Sequence, residues 1–314
     1  MKAMLIRAYG GPEVFEYGEI ETPRIDENEI LVKANGSSVN PVDCMIRRGL
    51  LKNFIRLKLP AALGVDVCGE VAEVGKNVRR FKPGDVVYAF LGLARSGGYG
   101  EYVKIPEAYA ALAPANIGRS EAGVVPGVGL TALEAFKDHA PLAAGQKVLI
   151  NGASGGVGTF AVQIAKSQGA EVTAVCSSAK IDLVKQLGAD HAIDYTTEDL
   201  YSPAARYDVI LNCVRGTSNK KLRNLLVSGG KLLIITGTPL QIPLFKLMNL
   251  FSSKKSILFF VKPIGGNLQI LTKLIEEGKV RPVIEKTYSW KELAQAHRHC
   301  ETGRVRGKIA IAID

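Results

Sequence analysis

Two rhythms of apolar and polar positions divide the chain. Up to about residue 118 the apolar runs are short and are separated by turns. Residues 30–34 (Ile30-Leu31-Val32-Lys33-Ala34) form one predicted strand. Residues 69–74 alternate apolar with charged, as a strand buried on one face does. Phe81-Lys82-Pro83-Gly84-Asp85 is a turn that feeds a strand over 86–90. Short strands at this spacing predict a compact, barrel-like β domain over 1–118.

From about residue 119 the rhythm lengthens. Apolar strands at 147–151, 171–176, 192–195, 207–213, 231–236 and 257–261 alternate with helical segments. Six strands joined by crossovers predict an α/β domain over 119–261 with a doubly wound parallel sheet. Beyond 261 a helix around 268–276 closes at Gly278, and a terminal strand at 307–311 is expected to return to the first domain. Residues 262–314 would thus complete that domain. The chain contains no internal repeat and no low-complexity tract.

The junction of the first α/β strand with its helix carries the strongest chemistry. Asn151-Gly152-Ala153-Ser154-Gly155-Gly156-Val157-Gly158 runs from an apolar strand into a helix through Ala161, Ile164 and Ala165. Gly152 permits a tight turn. Gly155 and Gly156 let the backbone approach a pyrophosphate, and Gly158 lets the helix pack closely on the sheet. Ser154 and Val157 lie within the same turn. The uncapped first N–H groups and the helix dipole favour an anion, so the layout predicts a dinucleotide site.

The end of the second α/β strand selects between dinucleotides. A site for an unphosphorylated ribose usually ends this strand with Asp or Glu. Here the strand ends Cys176-Ser177-Ser178-Ala179-Lys180, where two hydroxyls and an ammonium favour a 2′-phosphate. Tyr195, closing the third strand, is expected at the same edge. NADPH is the expected cofactor.

Composition adds limits. The chain has 314 residues, 47% hydrophobic and 22% charged, with a formal net charge of +10. Its basic residues are scattered without the long run that marks a nucleic-acid arm, so no nucleic-acid partner is expected. The five cysteines are odd in number and widely spaced, which argues against a disulfide framework. The N-terminus carries no signal-peptide pattern, and no apolar run reaches spanning length. A cytoplasmic protein is expected.

Several motifs then coincide in order. They are Asn40-Pro41-Val42-Asp43, Leu63-Gly64-Val65-Asp66-Val67-Cys68-Gly69, Phe81-Lys82-Pro83-Gly84-Asp85 and Gly98-Tyr99-Gly100-Glu101-Tyr102-Val103. Pro126-Gly127-Val128-Gly129-Leu130-Thr131-Ala132 precedes the glycine turn. Gly188-Ala189-Asp190-His191-Ala192-Ile193-Asp194-Tyr195 and Gly278-Lys279-Val280-Arg281-Pro282-Val283-Ile284 follow it. Over essentially its whole length the chain resembles the zinc-independent quinone oxidoreductase and enone reductase branch of the medium-chain dehydrogenase/reductase superfamily. Within that branch it resembles chloroplast envelope quinone oxidoreductase homologues, loosely at Asn212-Cys213-Val214 and more closely at Ser253-Lys254-Lys255.

The resemblance implies a GroES-like β-rich catalytic domain beside a Rossmann domain. It also implies NADPH-dependent reduction of a quinone, or of the C=C bond of an α,β-unsaturated carbonyl. Positions matching Asn40, Asp43, Thr131, Gly156, Val157, Ser177, Lys180 and Tyr195 contact the cofactor in that family. Main chain at Thr236, Gly237 and Thr238 and at Phe259, Phe260 and Val261 would hold the nicotinamide end. A homodimer through the edge strand at 257–261 is implied as well. One departure is Asn212-Cys213-Val214-Arg215-Gly216, where many members carry Asp-x-x-Gly.

Zinc-dependent relatives need a histidine where this chain has Gly64-Val65-Asp66, so no metal is expected and Cys44 and Cys68 are read as small buried residues. His297 and His299 are expected to face solvent. Hydride transfer requires no side-chain nucleophile, but a donor should meet the charge that develops on the substrate oxygen. Asn40 and Tyr99 are the candidate catalytic groups, with Tyr99 also read as an ordinary packed loop tyrosine. Asp43 and Asp66 are expected to fix loops by accepting backbone N–H bonds. The apolar segment 240–251, followed by Ser252-Ser253-Lys254-Lys255, is read as a helix covering the sheet, with an interfacial membrane segment as the alternative. Apolar loops at 50–59, 91–98 and 240–251 suggest a small hydrophobic substrate. The competing reading of the whole is a low-turnover NADPH-binding scaffold or membrane-peripheral protein on the same fold.

Overall fold

The computed structural model describes residues 1–201 and 206–313. They fall into two compact units. One is Met1–Leu130 with Lys262–Gly278 and Pro282–Asp314; the other is Thr131–Val261 with Lys279–Arg281.

The first unit opens with β1 (Lys2–Ile6), β2 (Phe15–Glu19) and β3 (Glu29–Val39), then α1 (Pro41–Arg47) and β4 (Ala61–Ala62). Strands β5 (Asp66–Val74), β6 (Val86–Phe90), β7 (Tyr102–Pro106) and β8 (Ala110–Leu112) follow, with α2 (Arg119–Ala122) and the start of α3 (Pro126–Glu134). Strand β3 organises the unit. Its register shifts between Leu31 and Val32 and between Ala34 and Gly36 while it pairs with β5. Such irregularities bend a strand. Residues 29–33 of β3 pair with β7, whereas 36–39 pair with the last strand of the chain.

The second unit contains β9 (Lys147–Asn151), α4 (Gly156–Ser167), β10 (Glu171–Cys176), α5 (Ile181–Gln186) and β11 (His191–Asp194). It continues with β12 (Tyr207–Asn212), α6 (Asn219–Asn224), β13 (Leu226–Ile234), α7 (Ile242–Leu250) and β14 (Lys255–Leu258). These six strands form one sheet in the order β11-β10-β9-β12-β13-β14, with every pair parallel. Helices cover both faces of such a sheet, so its strands read as continuous apolar runs. Val148, Leu149 and Ile150 of β9 are fully buried accordingly.

The chain closes with α8 (Gly265–Glu276), β15 (Ile284–Ser289), α9 (Leu293–Glu301) and β16 (Lys308–Ala312). The terminal strand lies antiparallel to β3, with Ile309 opposite Val39 and Ile311 opposite Ser37.

Two boundaries differ from the sequence pattern. The first unit extends to Leu130, not 118, because α2 packs on β3 and β5 and the Gly127 N–H donates to Asp66 at 2.7 Å. The edge strand is Lys255–Leu258, not 257–261. Its pairing runs from Lys231↔Lys255 to Ile234↔Leu258, and β13 ends at Ile234. The polar Lys255 and Ser256 at its start obscure that register in sequence.

Candidate functional site

In the second unit, β9 delivers the chain to Gly152, whose φ of +83° is a conformation that side-chain-bearing residues rarely adopt. A Cβ on Gly158 would lie 2.2 Å from the Gly152 carbonyl oxygen, so only glycine lets the first turn of α4 seat against the loop. Gly155 differs. A Cβ there would meet nothing nearer than 3.5 Å, so the protein itself does not fill that side of the turn. Gly155 is the N-cap of α4 and provides no side-chain cap, which leaves the first N–H groups of Gly156, Val157 and Gly158 without a side-chain acceptor. Ser154 is buried within the turn. An open backbone, orphan donors and a helix N-terminus form a cradle that fits a pyrophosphate.

At the neighbouring strand end, Ser177 follows β10. Tyr195 is brought to it by a bond from its N–H to the Cys176 carbonyl at 3.2 Å. Lys180 ends the same short turn, and Tyr195 is exposed. Ser178 is a correction. Its hydroxyl is given to the Asp194 carboxylate and lies 3.1 Å from Thr196 Oγ1, so it is committed within the protein and is not a ready phosphate donor. Bonds from Ser178 and Thr196 hold the Asp194 carboxyl down at about 2. The sequence reading also missed this carboxylate beside the ribose edge. Strand pairing aligns Cys176 with Asp194, and the acceptor oxygens of Asp194 are occupied by its own loop.

The strand order reverses direction between β9 and β12, the kind of switch point where open α/β sheets bind ligands. Asn151 and Asn212 lie side by side there. The Asn151 amide donates to Asn212 Oδ1 at 2.9 Å and to Thr217 Oγ1 at 3.1 Å, and the Asn212 amide donates to Asn219 at 2.9 Å. This amide ladder fixes the loop after β12. Thr236, Gly237 and Thr238 follow β13, and Phe259, Phe260 and Val261 follow β14, so both sets lie at strand carboxyl ends. Phe259 is buried against the His139 ring at 4.3 Å, while Phe260 is exposed. Thr131, in α3, is buried.

In the first unit, β3, β5 and β16 converge on a buried polar cluster. Asp66 accepts from Ser38 Oγ at 2.7 Å, from Asn40 Nδ2 at 2.9 Å and from the Gly127 N–H at 2.7 Å. Asp43 accepts from the Asn40 N–H at 2.8 Å and from its amide at 3.1 Å. Lys308 donates to Asn40 Oδ1 at 2.6 Å and to the Val39 carbonyl at 3.2 Å. Burial and the like charge of Asp66 push the Asp43 carboxyl up to about 7. Burial pushes the Lys308 ammonium below its ordinary value. Asp43 and Asp66 therefore fix backbone, as their positions suggested. Lys308 is the member the sequence did not reveal; the signal was a lysine opening an otherwise apolar strand.

Both expected catalytic groups need correction. Every polar atom of the Asn40 side chain is already engaged by Lys308, Asp66, Asp43 and Ser38, so its amide is a structural joint without a spare donor. Tyr99 is fully buried. Its hydroxyl donates to the Ser38 carbonyl at 3.1 Å and lies 3.3 Å from His297 Nε2, so it relays no proton to a substrate. His297, expected at the surface, is fully buried between Tyr99, Phe15 and Cys44, whose sulfur lies 3.4 Å from Nδ1. Burial lowers it to about 3, and it is neutral. His299 is half-buried against Tyr288.

The residues do not fit zinc. A side chain at position 64 would meet the Tyr99 ring at 2.7 Å, and among the described residues no group of three His, Cys, Asp or Glu side chains is placed to hold a metal ion. Cys44 and Cys68 are both buried.

Comparison with known proteins agrees with this architecture. Residues 26–115 match the alcohol dehydrogenase GroES-like domain family, and residues 187–311 match the family described as zinc-binding dehydrogenase. A chloroplast envelope quinone oxidoreductase homolog of Arabidopsis thaliana is 35% identical, over 99% of this chain and 98% of that protein. A 2-methylene-furan-3-one reductase of Solanum lycopersicum is 34% identical, over 99% of this chain and 79% of that protein. The quinone oxidoreductase structure from Coxiella burnetii matches with a TM-score of 0.90 at 30% identity, over 100% of this chain and 99% of that one. With identity at this level across nearly the whole chain, the protein belongs to the medium-chain dehydrogenase/reductase superfamily, among its quinone oxidoreductase homologues.

Proposed function

We propose that the chain is an NADPH-dependent, metal-independent oxidoreductase that reduces a quinone or the C=C bond of an α,β-unsaturated carbonyl. The observation that carries this reading is the cradle at Gly152–Gly158 with Ser177, Lys180 and Tyr195 beside it at the end of β10. The backbone N–H groups of Gly156, Val157 and Gly158 bind the pyrophosphate. The Ser177 hydroxyl and the Lys180 ammonium hold the 2′-phosphate, and the Tyr195 ring lies along that edge. Main chain at Thr236–Thr238 and Phe259–Val261 orients the far end of the dinucleotide. When bound, the reduced nicotinamide supplies the hydride. The relatives named for quinone and for methylene-furanone reduction support the choice of acceptor. In the first unit, the Asn40–Lys308 joint and the Tyr99–His297 pair act as rigid support.

Equilibrium titration of NADPH and NADH against the wild type and Lys180→Ala, with NADPH absorbance followed over quinones, short enals and ring enones, tests the proposal. NADPH is expected to bind at least about tenfold more tightly than NADH, a preference of ~1.4 kcal/mol that Lys180→Ala narrows. Equal or tighter NADH binding refutes the cofactor assignment. Failure of every acceptor to oxidise NADPH refutes the reaction.

A further inference from the structure

Helices α1 and α9 pack against each other and place two thiols side by side. On α1, Cys44 and Arg47 stand three residues apart and share one face; on α9, His297 and Cys300 do the same. The two faces are keyed together. The Cys44 sulfur lies 3.4 Å from His297 Nδ1 and is hydrogen-bonded to the Cys300 thiol. One turn further along α1, the buried Arg47 pairs with Glu301, the neighbour of Cys300.

The surroundings give the two thiols unequal roles. Cys44 is buried, whereas Cys300 is only half-buried. The Tyr99 hydroxyl donates to the Ser38 carbonyl, so its oxygen accepts from His297 Nε2–H. The neutral ring then leaves Nδ1 bare as an acceptor beside the Cys44 thiol. The bond from Cys44 holds the Cys300 thiol below its ordinary value, and Lys308 acts in the same direction. That same bond and burial push Cys44 up. Burial pushes the other three thiols up, Cys68 and Cys213 to about 12 and Cys176 to about 11. Of the five cysteines, Cys300 therefore combines solvent access with a readily formed thiolate, and a second sulfur stands beside it. An oxidant that reaches Cys300 meets a nucleophile with its resolving thiol already in place.

We propose that Cys44 and Cys300 are a peroxide-sensitive pair that closes reversibly into a disulfide between α1 and α9. The Cys300 thiolate attacks hydrogen peroxide and breaks the O–O bond. Its sulfur becomes a sulfenic acid, and the departing hydroxide is protonated to water. The Cys44 sulfur then attacks the Cys300 sulfur; the S–O bond breaks, the S–S bond forms, and the Cys44 proton leaves with the hydroxide as a second water. Two thiols and one peroxide give one disulfide and two waters, and the two electrons lost by sulfur reduce the peroxide. A dithiol reductant reverses the step. The bond encloses most of the chain, so it restricts the unfolded state while joining residues already in contact. This inference does not depend on the reductase reading.

Treating the full chain with a small excess of hydrogen peroxide tests it, with intact mass, non-reducing peptide mapping and thermal melting as readouts. The mass should fall by about 2 Da, with one crosslinked peptide joining Cys44 to Cys300 within a single chain. The melting temperature should rise by about 5 °C or more, and dithiothreitol should reverse all three changes. In Cys44→Ser, Cys300 should stop at the sulfenic acid and add dimedone. Cys300→Ser should form no crosslink, whereas Cys176→Ser with Cys213→Ser should form it as the wild type does. Four results overturn the proposal: no crosslink in the wild type, a crosslink through another cysteine or between chains, equal dimedone labelling of Cys300 in the wild type and Cys44→Ser, or an oxidised protein that melts no higher than the reduced one.

Discussion

The Lys308 ammonium donates to the Asn40 side-chain oxygen at 2.6 Å, joining the last strand of the chain to the end of β3. That bond fixes which way the amide faces and turns its N–H groups toward Asp66 and Asp43. Residues 268 positions apart thereby set the conformation of Asn40-Pro41-Val42-Asp43.

Replacing Lys308 with Met keeps the length of the stem but removes the only cation bonded to this cluster among the described residues. Asn40 Oδ1 then lacks its donor, and two buried carboxylates lose their counter-charge. Leaving a buried acceptor without its donor costs about 1–3 kcal/mol, and urea unfolding should show a loss of at least that size. A wild-type midpoint would mean that the ammonium contributes no net stability.

Asp43 gives the same cluster a pH signature. Its native carboxyl lies at about 7 against 3.8 for an ordinary aspartate, so the folded state holds the proton more tightly than the unfolded state. The stabilising contribution is therefore full below about 4 and is lost as pH rises through about 7. Asp43→Asn keeps an acceptor for the Asn40 N–H but has no proton to lose. Its stability relative to wild type should rise by a few kcal/mol from pH ~4 to pH ~8. Parallel stability–pH curves for the two proteins would contradict the raised value.

The glycine turn separates a folding role from a binding role. Gly158→Ala places a methyl 2.2 Å from the Gly152 carbonyl oxygen and should destabilise the second unit as well as abolish dinucleotide binding. Gly155→Ala meets nothing within 3.5 Å, so its melting temperature should stay near wild type while NADPH affinity falls about tenfold or more. Undiminished affinity in Gly155→Ala would place the pyrophosphate elsewhere.

Tyr99→Phe tests the corrected role of a loop tyrosine. The hydroxyl it removes bonds Ser38 and faces His297, both inside the protein. Stability should fall by about 1–2 kcal/mol, and turnover should stay within about threefold of wild type. A hundredfold loss of turnover in a protein that still binds NADPH would restore Tyr99 as a proton relay.

Periodicity and local chemistry were enough to establish the β-rich first unit, the six parallel strands and the glycine cradle. Each rests on neighbours in the chain: alternation records one buried face, continuous apolar runs record two, and the residues of a strand–turn–helix anion site are contiguous. Local reasoning also anticipated the backbone bond that Asp43 accepts, because it is completed three residues away at Asn40. Other assignments depended on groups distant in sequence. Ser178 looked like a phosphate ligand until strand pairing brought Asp194 to accept its hydroxyl's hydrogen bond. His297 looked solvated until packing closed Tyr99, Phe15 and Cys44 around it. Asn40 looked like a free donor until β5 brought Asp66 to accept from its amide and β16 brought Lys308 to its oxygen. Sequence by itself determined the strand, glycine turn and helix start at Gly152–Gly158, since they are built from consecutive backbone. Only the tertiary structure decided which polar side chains are spent on holding the protein together, because a hydrogen-bonding group has few partners and those partners are chosen by the fold.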